Sequence, residues 1–346
     1  MKYIDPSFEI ISQEPGSLMG LYDHIEKVAR TCYKSEDRIQ YTGYPFEDIA
    51  TVDLAGNVVK TLAEDTYHST TAEGFVQRLV NSHHGAMLEH ATVYLTILEK
   101  TVSNRVDLQD IVQFYIDNPF SEVVTKITPD KSLIHYITTN YRVVVENRRM
   151  SDMKYFSTPQ KHHLRRYTVR FITDRGVANE FVRHRIMSFG QESTRFCTYS
   201  KSKFGGEISV IRPWWMPEEM LDMASPGPYS DTHGWHILNG KTNNIFDIDE
   251  TTAIMTNGFI DIEKIYTKVT TTGENGTKGK VLLAQDARHI LPLGLKTELV
   301  VTGFLEAWQK FFNLRYFGTT GAPHPEAKRL AEPLYNEFTR RHFFEN

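Results

Sequence analysis

The stretch that decides the fold is RHRIMSFGQESTRF, residues 183–196. It follows a segment predicted to be helical, for which Asp174 is a suitable N-cap. Successive residues of a helix are turned by about 100°, so Arg183 and Arg185 would point in nearly opposite directions. Two arginines placed in this way cannot grip one small ligand together. They can instead serve two neighbouring anions or two subunits.

The second half of the stretch combines hydroxyl, amide and guanidinium groups. If the chain is extended after Ser188, then Gln191, Ser193 and Arg195 lie on the same side. A hydroxyl beside the planar fork of an arginine suits a phosphate or the edge of a uracil ring. Taken alone, the arginine triplet could equally be a solvated surface charge cluster.

Composition and charge restrict the protein class. The chain has 346 residues, of which 40% are hydrophobic and 24% charged, and its net charge is −4. These values are typical of a soluble globular protein and exclude collagen-like, disordered and disulfide-stapled chains. The acidic balance argues against a general nucleic-acid or membrane-surface binder. Residues 142–195 carry a net charge of +7, however, which indicates either a local anion site or a solvated basic face.

Several other classes of protein find no support in the sequence. No apolar run approaches the roughly 18 residues of a membrane span, and no signal peptide is recognised, so we expect a cytoplasmic protein in which Cys32 and Cys197 are free thiols. Neither a Rossmann glycine motif nor a P-loop is present. His84, Glu89 and His90 lack the helical histidine pair of a metal site, so no metal is expected.

The hydrophobic pattern predicts a mixed α/β or α+β domain. The predicted helices are Leu18–Cys32 with Ser17 as cap, Phe75–Asn81, a helix following Asp174, one helix running from Leu299 to beside Arg315, and one starting at Pro325 that Pro333 kinks or splits. The predicted strands are Thr92–Leu98, Tyr141–Glu146, Tyr167–Thr173 and Glu207–Ile211. Residues 101–164 and 214–279 are interpreted as insertions.

The order RHR-x-x-S followed by S-x-R-[YF] resembles the signature of the flavin-dependent thymidylate synthases. Other blocks occur in that family's chain order and bring the resemblance to about two thirds of the chain: Ala29–Tyr33, His83–His90, Ala287–Pro292 with Thr297, and Asn313–Arg315. The resemblance implies a single domain over residues 1–346 with that family's fold. This fold has a central, mostly antiparallel sheet flanked by long helices, here carrying the two insertions.

The resemblance also implies a reaction and its participants. dUMP would be reductively methylated to dTMP, with carbon from methylenetetrahydrofolate, reducing equivalents from NADPH, and FAD as the carrier. The family forms homotetramers with active sites at subunit junctions, which fits the divergent arginine pair. The expected partners are therefore the nucleotide, folate and nicotinamide compounds and further copies of the chain, with no nucleic acid and no membrane.

The matched positions imply roles for individual residues. Arg315 is expected to be catalytic, because it matches the arginine that contacts the uracil and favours ionisation of its N3, where fixed positive charge would stabilise the developing anion. The other dUMP-binding positions are Glu180, Arg183, Gln191, Glu192, Ser193, Thr194, Arg195 and Arg288. The FAD-binding positions are His84, Ala86, Glu89, Arg183, His184, Arg185, Gln191, Glu306 and Lys310. His84 and Phe196 match positions that stack against the folate.

This sequence departs from the family pattern at several of these positions. Glu180 stands in place of Gln, Gly190 in place of Asn or Ser, and Phe196 in place of Tyr. Ala86 replaces Thr, and Glu306 with Lys310 replaces Arg and Asn or His on the adenine side of the flavin. Two alternatives therefore remain: a related flavin-dependent pyrimidine nucleotide modification such as hydroxymethylation, and a non-catalytic nucleotide- or RNA-binding protein. A catalytic Cys197 thiolate is weighed and set aside, because this family needs none.

Overall fold

A computed structural model describes residues 1–41, 50–52, 58–60, 68–102, 105–271 and 281–345. Contacts between Cα atoms divide it into two compact units. Unit 1 consists of Met1–Ile11, Cys32–Lys34 and Thr168–Glu345. Unit 2 consists of Ser12–Thr31 and Ser35–Tyr167. The expectation of a single domain with two insertions stays a prediction.

The described residues form helices and strands in a mixed α/β arrangement, as predicted. The helices are α1 Leu18–Tyr33, α2 Ala72–Asn81, α3 Gly85–Leu88, α4 Arg105–Asp117, α5 Tyr141–Glu146, α6 Arg175–Phe181, α7 Glu250–Thr270, α8 Ala284–Ala287, α9 Leu305–Arg315 and α10 Pro325–Arg340. The strands are β1 Lys2–Ile4, β2 Ser7–Ile11, β3 Ala50–Val52, β4 Val58–Lys60, β5 Thr92–Leu98, β6 Glu122–Ile127, β7 Leu133–Asn140, β8 Arg166–Asp174, β9 Ser188–Gln191, β10 Ser209–Ile211, β11 Tyr229–Asp231, β12 Gly234–Leu238, β13 Ile245–Ile248 and β14 Lys296–Phe304.

Unit 1 is organised around a four-stranded sheet in the order β2-β8-β14-β9. Strand β2 is antiparallel to β8, and β9 is antiparallel to β14. Helices α6 and α9, which directly follow β8 and β14, both pack against β14. Apolar side chains of these helices and of β8 form an aromatic core in which Phe171, Phe181, Trp308 and Phe311 are at most 1% exposed. This core fixes the ends of α6 and α9, where Glu180 and Arg315 lie.

Unit 2 contains a three-stranded antiparallel sheet in the order β5-β7-β6. The predicted strand Thr92–Leu98 is confirmed with its boundaries. The first predicted helix is also confirmed, because α1 starts at Leu18 and the hydroxyl of Ser17 accepts a hydrogen bond from the Gly20 amide at 2.9 Å.

The prediction of a strand over Tyr141–Glu146 is wrong. This segment is helix α5, and the strand precedes it. The Asn140 side chain ends the strand and caps the helix by accepting a hydrogen bond from the Val143 amide at 3.1 Å. A short run of valines fits a buried strand or a buried helix equally well, so the cap decides between them.

The prediction of one helix from Leu299 to Arg315 is also wrong in its first half. Residues Lys296–Phe304 form strand β14, and the helix begins only at Leu305. β14 lies between two other strands, and its residues from Thr297 to Gly303 are buried. A strand covered on both faces carries no polar alternation, so its apolar run resembles the stripe of a helix.

Two smaller expectations concern helix boundaries. Asp174 caps α6 as predicted, with its carboxylate accepting a hydrogen bond from the Val177 amide at 2.8 Å. Pro325 opens α10, but Pro333 does not split that helix, which runs to Arg340 without interruption. A proline removes one backbone donor, and here the packing of α10 on α9 keeps the helix intact.

Candidate functional site

The end of α6 and the end of α9 meet at Arg315, whose guanidinium group is held from three directions. Its Nη1 donates to Glu180 Oε2 at 2.6 Å, its Nη2 to the Glu180 carbonyl oxygen at 2.8 Å, and its Nε to His184 Nε2 at 3.3 Å. The structure therefore brings together three residues that the sequence assigned to substrate or flavin. Arg315 remains partly accessible, with a side chain that is 18% exposed.

His184 is neutral in this arrangement. An arginine has no hydrogen-bond acceptor, so His184 Nε2 must be the acceptor and the ring proton must lie on Nδ1. Burial, together with the nearby charge of Arg315, lowers the pKa of His184 to about 4. The imidazole therefore supports the arginine without adding a second positive charge at neutral pH.

The segment after β9 forms a turn, so the chain is not extended through Arg195 and the condition for placing Gln191, Ser193 and Arg195 on one strand face is not met. The Phe196 and Cys197 amides donate to the Ser193 carbonyl oxygen at 3.2 and 3.0 Å. The Ser193 hydroxyl accepts from the Arg195 amide at 3.3 Å. Gln191 is still in the strand and donates from its side chain to the Thr297 hydroxyl at 3.4 Å. Hydroxyl and guanidinium thus come from one turn and not from one strand face.

The side chains of this turn differ in their exposure. Thr194 is buried, Ser193 is half-buried and Arg195 is exposed. The Arg195 guanidinium lies 5.7 Å from the centre of the Phe196 ring, and that ring is 60% exposed. Tyr33 packs edge-on against Phe196 with ring centres 5.9 Å apart. The turn therefore presents a cation and an aromatic face to solvent.

Glu192 belongs to a buried ionic cluster. Its carboxylate accepts from the Tyr199 hydroxyl and from Lys296 Nζ, each at 2.9 Å, and the residue is only 3% exposed. Lys296 also donates to Glu298 at 2.6 Å, and Lys34 donates to the same carboxylate. The Glu192 amide is bonded to the Glu298 carbonyl oxygen at 2.8 Å, so this cluster anchors the start of the turn.

The charges of the cluster reinforce one another. Burial by itself lowers the pKa of Lys296, but Glu192 and Glu298 outweigh it and raise that pKa. Burial by itself raises the pKa of Glu298, but Lys296 and Lys34 outweigh it and lower that pKa. Burial and the adjacent carboxylate of Glu192 raise the pKa of Tyr199 far above its usual value. A cavity of about 270 Å³ borders the cluster, with Lys2 and Lys203 also in its wall.

Three further arginines of unit 1 are exposed: Arg183, Arg185 and Arg288. Among the described residues, none of them has an ion-pair partner, so their charges are available to an anionic group such as a diphosphate. They fit the chemistry that a dinucleotide cofactor requires. Glu306 and Lys310 lie one turn apart on α9, are exposed, and pair with each other at 2.6 Å.

The remaining flavin-assigned residues lie in unit 2. His84 and Ala86 are exposed, and Glu89 is half-buried. The Glu89 carboxylate pairs with Arg142, and its carbonyl oxygen accepts from Arg166 at 3.0 Å.

The sequence interpretation missed the basic residues around Glu89 and around Glu192. Burial lowers the pKa of Arg166 to about 10. Arg142 also pairs with Glu146 four residues later, a spacing that would have been informative had the segment been read as helical. Lys296 and Glu298 are two apart on a strand, which places them on the same face. In the sequence, this spacing of a lysine and a glutamate was the feature that could have predicted the ionic cluster.

Several expectations concern groups outside these clusters. Cys32 and Cys197 are buried and are not joined in a disulfide bond. No group of metal-binding side chains is found among the residues the structure describes. Within the same described residues, no helix is long and apolar enough to span a bilayer.

The site lies on a mixed α/β scaffold with clusters of arginines at helix ends and in a strand-to-turn segment. The family model described as thymidylate synthase complementing protein matches residues 153–342, more than half of the chain. The chain therefore belongs to the thymidylate synthase complementing protein family, which confirms the resemblance read from the sequence. No curated protein sequence matches the chain.

Two solved structures resemble the chain over most of its length. Both are of the UMP/dUMP methylase PolB from Streptomyces cacaoi, one bound with 5-Br dUMP and the other with 5-Br UMP. The first is 13% identical, covers 98% of this chain and 93% of that chain, and has a TM-score of 0.38. The second is 12% identical and has a TM-score of 0.36, and the match covers 97% of this chain and 89% of the PolB chain. Similarity at this level supports no conclusion about activity.

Proposed function

We propose that the protein is a flavin-dependent thymidylate synthase that converts dUMP to dTMP with methylenetetrahydrofolate and NADPH. Family membership and the clamped Arg315 guanidinium carry this proposal. Arg315 retains N–H groups for a carbonyl oxygen of the pyrimidine, while Ser193 and Arg195 supply the chemistry for a phosphate. Glu180, Gln191, Thr194 and Arg288 complete the proposed nucleotide-binding set. Glu192 acts there through the turn that it anchors.

The proposed cofactor is FAD, which when bound would carry reducing equivalents from NADPH to the transferred carbon. Arg183 and Arg185 would hold its anionic part, and His84, Ala86, Glu89, Glu306 and Lys310 would complete the contacts. His184 contributes by orienting Arg315. His84 and Phe196 present ring faces that suit the folate. We propose, on the basis of family membership, that the enzyme is a cytoplasmic homotetramer with sites shared between subunits. Helix α6 ends at Phe181, so Arg183 and Arg185 lie after it and do not have the helical spacing that the sequence analysis assumed.

The absorbance spectrum and the reaction product test this proposal together. Purified protein is expected to show the visible bands of a flavin and to oxidise NADPH only when dUMP and methylenetetrahydrofolate are present. Mass spectrometry of the nucleotide is expected to show the gain of a methyl group. A gain of hydroxymethyl would favour the related modification, while colourless protein with salt-sensitive nucleic-acid binding would favour a non-catalytic protein.

Replacing Ser193 with Ala tests the nucleotide-binding turn. We expect dUMP affinity to fall about tenfold or more, because a hydrogen bond to a charged phosphate is lost. Isothermal titration with dUMP provides the measurement, and Ser202→Ala, an exposed serine outside the proposed site, is the matched control. Unchanged dUMP affinity in Ser193→Ala would remove Ser193 from the nucleotide site.

A further inference from the structure

The Glu180–Arg315 pair offers a ligand both a donor and an acceptor. A guanidinium group has five N–H donors, and Glu180 and His184 occupy three of those of Arg315. The other two have no partner among the described residues. The same holds for the second carboxylate oxygen of Glu180, whose side chain is 33% exposed. The pair thus offers a ligand two N–H donors from Arg315 and one carboxylate oxygen acceptor from Glu180.

A carboxylate at position 180 restricts what can bind there. A glutamine amide could donate or accept, whereas a carboxylate only accepts. The hydrogen-bonding edge of uracil presents a carbonyl oxygen, the N3–H group and a second carbonyl oxygen. This edge matches the pair when N3–H donates to Glu180 and a neighbouring carbonyl oxygen accepts from Arg315. A deprotonated N3 would instead place negative charge against the carboxylate, and like charges at contact repel.

We propose that Glu180 is a specificity-determining residue that makes the site select pyrimidine nucleotides whose N3 carries its proton. This inference rests on the proposed function, which places the pyrimidine at Arg315. The ion pair has no net charge, so Arg315 stabilises a carbonyl oxygen without drawing the proton from N3. This reverses the expectation from the sequence that Arg315 favours N3 ionisation.

The charged and titratable groups in contact with this pair are few. Among the described residues, the Glu180 side chain on α6 is bonded to one charged or titratable group, Arg315. The Arg315 guanidinium on α9 is bonded to two such groups, Glu180 and His184. The other neighbour of His184 from α9 is the uncharged ring of Phe311, 5.1 Å away between ring centres. Because His184 is already neutral well below pH 7, the ligand's N3 is the group that titrates between neutral and alkaline pH.

The test compares dUMP with 5-bromo-dUMP, whose N3 is more acidic because bromine withdraws electrons. Affinities of the complete protein are measured by isothermal titration at pH 7 and pH 9. For the wild type we expect 5-bromo-dUMP affinity to fall about tenfold over this range relative to dUMP, since only the protonated form binds. In Glu180→Gln the amide can donate to a deprotonated N3, so this relative loss should disappear. Glu218→Gln, a change at an exposed carboxylate outside the site, should behave like the wild type.

The outcomes separate this inference from the proposed function. Binding of dUMP that depends on Arg315, with the same pH response in the wild type and in Glu180→Gln, would overturn the inference alone. A rise of 5-bromo-dUMP affinity with pH in the wild type would do the same. Failure of the wild type to bind either nucleotide would contradict the proposed function and the inference with it.

Discussion

Arg315→Ala is expected to give a folded flavoprotein that methylates dUMP at least 100 times more slowly than the wild type. The size of the effect follows from the loss of a preorganised donor aimed at the atom where charge develops. Folding should survive, because Glu180, the ion-pair partner that remains, is one-third exposed and can be solvated. Product formation is measured under saturating NADPH and folate, and flavin content is measured from the visible absorbance.

Two further variants define what the Arg315 result means. Arg315→Lys keeps the charge but removes the planar fork that bonds Glu180 and His184 at once, so most of the activity should still be lost. Arg340→Ala removes an exposed, ion-paired arginine from the end of α10 and should leave turnover unchanged. Near-normal turnover in Arg315→Ala would contradict the proposed role of Arg315.

Lys296→Met is expected to lower the free energy of unfolding by about 3 kcal/mol, because it leaves two buried carboxylates with Lys34 as their remaining cation. Glu192 and Glu298 have side chains that are 1% and 7% exposed. Since Glu192 anchors the turn at Ser193, weaker dUMP binding should accompany the loss of stability. The urea midpoint at fixed protein concentration measures the first effect, and calorimetry with dUMP measures the second.

An exposed ion pair provides the comparison. Lys264 pairs with Asp261 at 2.9 Å on α7, both side chains are about two-thirds exposed, and Lys264→Met should change stability by no more than about 0.5 kcal/mol. Adding Glu298→Gln to Lys296→Met should restore part of the lost stability. Equal destabilisation by Lys296→Met and Lys264→Met would show that burial of the cluster has no energetic consequence.

The dependence on pH follows from the lowered pKa of Glu298. A carboxyl group whose pKa is lower in the folded protein stabilises that protein above the pKa of the unfolded chain, and this contribution disappears as pH falls through the folded value. The difference in urea midpoint between the wild type and Lys296→Met should therefore be large at neutral pH and should shrink in acid.

Local signals in the sequence were sufficient where polar and apolar residues alternate or where a side chain caps a helix. Strand Thr92–Leu98 was predicted from alternation, and the start of α6 from Asp174. They failed where tertiary context decides the structure. Lys296–Phe304 is covered on both faces, and Tyr141–Glu146 is helical because Asn140 caps it. In both cases the apolar pattern alone permits strand or helix.

The candidate site shows the same division. The motif order identified the family and the residues at the helix ends. It could not show that Glu180 would pair with Arg315, because the two are 135 positions apart in the chain. Nor could it show that Glu192 forms an ion pair with Lys296. The two residues are 104 positions apart, and the sheet, not local spacing, brings them together. Charge pairing across the fold is therefore what the structure adds.

The pairing of β2 with β8 has a consequence for how the protein is made. The two strands lie more than 150 residues apart, and β14, the other neighbour of β8, is more than 120 residues further along the chain. During synthesis, residues 7–11 leave the ribosome long before any partner exists for their backbone hydrogen bonds. The central sheet can thus be completed only after β14 has been synthesised, so its assembly should be slow compared with that of elements built from local contacts.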